Sequence, residues 1–153
     1  MKNLLRLDKK QMIENLNKAY KKCLGGNVEQ CNDFIEYLRF LTKRHFYNEM
    51  KCADYMKIIK KGCALGSGKC CTYLGDEYNS ISVKEYGGSW KSKYGRNCSL
   101  KSQSEAFKYY RKSCELGESW GCQRYNEFEM DIAEIESRER DKTHKSDITV
   151  KVK

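Results

Sequence analysis

Residues 106–122 read AFKYYRKSCELGESWGC. Cys114 and Cys122 stand eight apart, and Gly117 follows the first of them by three. The same C-x2-G-x4-C spacing recurs at Cys23, Gly26 and Cys31, and again at Cys63, Gly66 and Cys71. One such match would carry little weight. Three matches, with their first cysteines 40 and 51 residues apart, mark an internal repeat.

The flanks repeat as well. Lys21-Lys22, Lys60-Lys61 and Arg111-Lys112 precede the first cysteine of each copy. Leu65-Gly66 matches Leu116-Gly117, while the first copy has Gly25 in place of the leucine. The longer second interval holds extra residues near 78–97. Gly87-Gly88, Gly95 and several serines make that stretch a loop inserted between repeats.

Apolar residues recur at helical spacing on both sides of each glycine. Before it stand Met12, Leu16, Ala19 and Cys23; then Cys52, Met56, Ile59 and Cys63; then Phe107, Tyr110 and Cys114. After it come Cys31, Phe34, Ile35, Leu38 and Leu41; then Cys71, Leu74 and Tyr78; then Cys122, Tyr125, Phe128, Ile132 and Ile135. Asp8-x-x-Gln11, Asn27-x-x-Gln30 and Ser102-x-x-Glu105 are capping-box patterns that start helices. The repeat unit is a helix, a short glycine turn and an antiparallel helix.

This unit gives the cysteine spacing a reason. Residues eight apart on one helix lie ~12 Å apart along its axis, beyond the ~7 Å Cα separation a disulfide spans. A left-handed glycine cap ends the first helix and reverses the chain. The first cysteine, in the last turn of one helix, then faces the second, in the first turn of the next. A bond there closes a loop of about nine residues and stabilises the unit by roughly 2–3 kcal/mol. Disulfides are the favoured state of Cys23, Cys31, Cys63, Cys71, Cys114 and Cys122. Buried reduced thiols and a metal site stay open as alternatives, although zinc sites usually show C-x2–4-C pairs.

Nine cysteines are an odd number, so at least one thiol lacks a partner within the chain. Cys52 aligns with Met12 on the buried stripe and reads as a core thiol. Cys70 precedes a paired cysteine, and Cys98 closes the inserted loop. A fourth bridge among these three is open, with Cys52–Cys98 favoured and the remaining thiol free.

With these residues in hand, the stretch 106–122 resembles a repeat of the Sel-one-like repeat (SLR) solenoid family, in particular the branch of the Helicobacter cysteine-rich proteins. Ser99-Leu-Lys-Ser-Gln is similar to the short segment that precedes the first helix of such repeats. The resemblance covers residues from about 10 to about 130, more loosely in the first copy. It departs from the family in its longer intervals and in Asn126, which stands where the second copy has Gly75. The resemblance implies a right-handed α/α superhelix with a concave binding surface, and secretion or a periplasmic location. It also implies an association with penicillin binding and weak β-lactamase activity, and so a cell-wall or β-lactam-like ligand as an alternative to a protein partner.

The expected fold is therefore all-α: an α/α solenoid of three helix-turn-helix repeats with intra-repeat disulfides. One domain spans 1–140, with repeats at about 8–44, 49–79 and 102–138 and an inserted loop at 80–101. The charged stretch 141–153 lacks a helical stripe and reads as an extended tail. Met1–Leu7 starts like a signal peptide, but Asp8, Lys9 and Lys10 interrupt it before an apolar core forms. A secreted or periplasmic mature form is expected from the cysteines, with a cytoplasmic protein as the alternative.

The residues argue against catalysis. No serine has lysine three positions later, as a serine β-lactamase requires. The two histidines, His45 and His144, sit in no ligand-spaced motif. No cofactor and no metal is expected. No apolar run reaches the ~20 residues of a membrane helix; 33% of the residues are charged and the mean hydropathy is −0.85.

The net charge of +9 favours an acidic partner. Aligning the copies by their first cysteine places Lys21, Lys61 and Lys112 at one position, and Asn17, Lys57 and Lys108 one turn earlier. These two positions share a helix face. Stacked repeats would align Lys21, Lys57, Lys61, Lys108 and Lys112 into a basic track for a protein or peptide partner. The alternative is that these lysines solvate the helices and complement their C-terminal dipoles. A second candidate contact is the inserted loop, where Tyr86, Trp90 and Tyr94 interleave with Lys84, Lys91, Lys93 and Arg96. Nucleic acid is disfavoured because no motif for it is present. The function expected is non-catalytic protein binding, with an inhibitor or immunity-type binder as one form of it.

Overall fold

In the computed structural model of this chain, residues 8–43, 50–84, 90–92 and 98–152 are described; for 43, 82–84, 90–92 and 143–152 the description is of the backbone alone. The fold is all-α: three antiparallel helix pairs in succession. They are α1 (Lys9–Leu24) with α2 (Val28–Lys43), α3 (Cys52–Leu65) with α4 (Gly68–Tyr78), and α5 (Gln103–Glu115) with α6 (Ser119–Val152).

Local chemistry sets the ends of these helices. Asp8 caps α1 in a complete capping box with Gln11. Asn27 and Ser102 accept from the backbone of Gln30 and Glu105, which is the forward half of the same device. Ser67 caps α4 by accepting from the Cys70 N–H, a signal that no Glu or Gln at the third position advertises. Each pair turns on a glycine in the left-handed region: Gly26 at φ 105°, Gly66 at φ 102° and Gly117 at φ 87°. A side chain is strained there, which explains a glycine at the same place in every copy.

The stripes read from the sequence form the core. Met12, Leu16, Ala19 and Cys23 of α1 are buried with Phe34, Ile35, Leu38 and Leu41 of α2. Tyr55, Ile58, Ile59 and Leu74 continue this core into the second pair. A smaller cluster of Ala106, Tyr110, Phe128 and Ile81 holds the third. The second pair joins the first through contacts of α3 with α1 and α2 and of α4 with α2, whereas α5 packs chiefly on α4 and α6.

The structure departs from the sequence reading in four places. Cys52 is exposed, not core, because it is the first residue of α3 and lies before the helix meets its neighbours. Ile135 is 39% exposed, because α6 has by then run past the start of α5. Residues 141–152, expected as an extended tail, continue α6. They contain no proline or glycine to stop the helix, which runs on without an apolar stripe. The inserted loop contains a two-stranded antiparallel ribbon, β1 (Ser82–Lys84) and β2 (Trp90–Ser92), paired Ser82 to Ser92, Val83 to Lys91 and Lys84 to Trp90.

Candidate functional site

The staples come first, because they hold each helix pair at its turn. Cys23–Cys31, Cys63–Cys71 and Cys114–Cys122 are disulfides with Cα separations of 4.6, 4.6 and 4.5 Å. A fourth bond, Cys52–Cys98, ties the start of α3 to the end of the insert. Cys70 is the free cysteine and is buried. Its thiol lies 3.8 Å from the Cys31 carbonyl oxygen, and desolvation pushes it up to about 11. A buried thiol held protonated behaves as a small hydrophobe.

The exit of the insert is locked by a buried carboxylate as well as by a disulfide. Glu77 is fully buried. It accepts from the Cys98 N–H at 2.8 Å, and its backbone carbonyl accepts from Ser99 and from the Lys101 ammonium at 3.0 Å each. Burial lowers the affinity of Lys101 for its proton, and the nearby Glu77 charge opposes that shift.

The lysines of the expected track fall into two groups. Lys21 of α1 and Lys57 and Lys61 of α3 are exposed on two helices that pack against each other. Among the described residues, none of the three has a carboxylate within 4.0 Å. Lys108 and Lys112 are on α5, which packs chiefly on α4 and α6. Lys108 is exposed, reaches Glu105 at 3.9 Å and lies 5.1 Å from the Tyr109 ring centre; Lys112 is half-buried in the last turn. Trp90 is the first residue of β2, and its side chain lies outside the described residues. So do His45, Tyr86 and Tyr94 entirely, and the side chain of His144 on α6.

A network absent from the sequence reading links the second helices of the three pairs. Lys69 of α4 bridges Glu36 of α2 at 3.1 Å and Glu118, just before α6, at 3.5 Å. Its ammonium lies 4.0 Å from the Trp120 ring centre, and the Arg39 guanidinium lies 3.9 Å from it. These are cation–π contacts that join all three repeats. One turn deeper, Tyr110 donates to Asp76 at 2.5 Å, Arg124 pairs with the same oxygen at 3.0 Å, and Asn79 donates to the Tyr110 hydroxyl at 3.0 Å. Desolvation raises the Asp76 carboxyl to about 6, although the Arg124 charge pulls it down. Burial and the Asp76 carboxylate hold the Tyr110 hydroxyl well above the usual tyrosine range.

This network is a structural joint between the repeats. Its groups satisfy one another across repeats, and Asp76 is only 7% exposed. The one sequence clue to it was the small residue Gly75, whose packing against Tyr110 brings Asp76 within reach of the hydroxyl. Among the described residues, no group of three or more histidines, cysteines, aspartates or glutamates is placed to hold a metal ion, and no helix is long and apolar enough to cross a membrane. No protein-family model, curated protein or solved structure matches the chain.

Proposed function

We propose that the chain is a non-catalytic protein-binding module of an oxidising compartment, and that an acidic partner docks on the exposed basic surface of α1 and α3. The carrying observation is that Lys21, Lys57 and Lys61 are exposed on adjacent helices and that, among the described residues, no carboxylate lies at ion-pair distance from them. A lysine left to water at equivalent positions of successive repeats is available to a ligand, and helical repeats present extended surfaces of this kind. Four disulfides support the compartment, since such bonds persist where the environment is oxidising. The resemblance to disulfide-bearing Sel-one-like solenoids supports the same reading.

The test is fluorescence anisotropy with a labelled poly-glutamate peptide. Wild-type protein binds, and binding weakens as salt rises. Replacing Lys57→Glu together with Lys61→Glu reduces the affinity and flattens its salt dependence, with little change in thermal stability. Undiminished binding by that variant at low salt overturns the basic-surface reading.

A further inference from the structure

Charge in this molecule is divided between the first and second helices of the pairs. Lys18, Lys21 and Lys22 are exposed on α1 and Lys57, Lys60 and Lys61 on α3, and the only acidic residues within those two helices are Glu14 and Asp54. The opposite charge gathers on α6. Residues 127–136 read EFEMDIAEIE, five carboxylates without one lysine or arginine. Met130 and Ile135, within the same ten residues, are 72% and 39% exposed. Glu129 and Glu136 are exposed and lie two turns apart on one side of the helix.

The length of α6 makes this stretch reachable. Its 34 residues rise ~51 Å, against ~20 Å for the 13 residues of α5 beside it. Every residue from Ala133 to Lys142 is exposed. From Ala133 on this acidic segment therefore stands clear of the body, and Met130 just before it is uncovered too, while Phe128 and Ile132 pack in the core of the third pair. Elsewhere on the same chain, two helices carry an exposed lysine field.

We infer that a second copy of this chain is a partner for these surfaces: the acidic segment 127–136 of α6 in one copy docks on the α1–α3 lysines of the other, reciprocally, in a two-fold dimer. The inference rests on the proposed basic docking surface and names one occupant for it. Each copy carries both halves, so a two-fold arrangement closes with both contacts made. The contact is mainly electrostatic and so depends on salt: the screening length falls from roughly 20 Å in ~20 mM salt to about 4 Å in ~500 mM. Self-association then competes with any other acidic partner for the same lysines.

Sedimentation equilibrium of the full chain tests this, with two charge-reversed variants whose folding is checked by circular dichroism. One carries Lys57→Glu and Lys61→Glu; the other carries Glu129→Lys and Glu136→Lys. Wild-type protein is expected to dimerise at ~20 mM NaCl, with a dissociation constant at least ~10-fold weaker at ~500 mM. Each variant alone is expected to be monomeric, because like charges now meet. In an equimolar mixture the two variants form a heterodimer in which one contact is the native one and the other has its signs exchanged, and dimers return. The inference is overturned if wild-type protein stays monomeric at low salt, if neither variant weakens the dimer, or if the mixture fails to associate. If the chain is monomeric while the lysine variant still loses poly-glutamate binding, self-association fails and the acidic-partner reading stands.

Discussion

Gly75 of α4 lies directly against the ring of Tyr110 of α5: a Cβ on Gly75 would come within 2.5 Å of Cδ1 and 2.6 Å of Cε1. The second and third helix pairs meet through this contact. The corresponding residue of the third pair is Asn126, four after Cys122 as Gly75 is four after Cys71. Asn126 is exposed, since no further helix pair follows α6 among the described residues. Asn126 fits there because no described ring packs on it as Tyr110 packs on Gly75.

Gly75→Ala is therefore expected to destabilise the fold by about 1–3 kcal/mol, because the ring of a fully buried tyrosine must move. Asn126→Ala, at the same position of the repeat, is expected to stay within about 0.5 kcal/mol of wild type. Urea denaturation of the two variants checks the pair.

Asp76 makes stability depend on pH. Its folded carboxyl sits at about 6, raised by burial from an ordinary 3.8. Below both values the folded and unfolded chains hold this proton equally. As pH rises past 3.8 the unfolded chain releases the proton first, so stability falls until about pH 6 and then levels off, by up to roughly 3 kcal/mol. The difference in unfolding free energy between wild type and Asp76→Asn, measured from about pH 3.5 to about pH 7, is expected to fall across this window. A flat difference contradicts it.

The disulfides are expected to differ in their resistance to reduction. Cys52 is exposed, whereas Cys23, Cys31, Cys63 and Cys71 are buried. Limited reduction followed by non-reducing peptide mapping should release Cys52–Cys98 first. Replacing that pair by alanine removes a cross-link over a separation of 46 residues and is expected to destabilise by about 4 kcal/mol, against about 2.5 kcal/mol for Cys114 with Cys122. Cys70 should not react with Ellman's reagent until the chain unfolds.

Nitrocefin is not expected to be hydrolysed at an enzymatic rate. No serine has lysine three residues on, and the buried Cys70 thiol is held protonated. A turnover number of roughly 1 per second or more would reveal a site that these residues do not describe.

The helix pairs were legible from three cysteine spacings, their glycines and the apolar stripes, because each is a local property of one turn. A glycine must stand where φ is near 100°, and two cysteines flanking that turn have little choice of partner. Even Cys52–Cys98 could be favoured once three pairs were set aside. What the residues alone left unread depends on neighbours distant in sequence. Whether the position of Gly75 meets an aromatic ring or water is decided by the next pair. Asp76 and Arg124 look like ordinary surface residues, and Tyr110 like a plain member of the apolar stripe, until packing brings them together and removes the water between them. Periodicity also could not tell that α6 outruns α5, because an uncovered helix needs no stripe. Local chemistry determined the repeat, and packing between repeats determined which polar groups are buried and which charges are left to a partner.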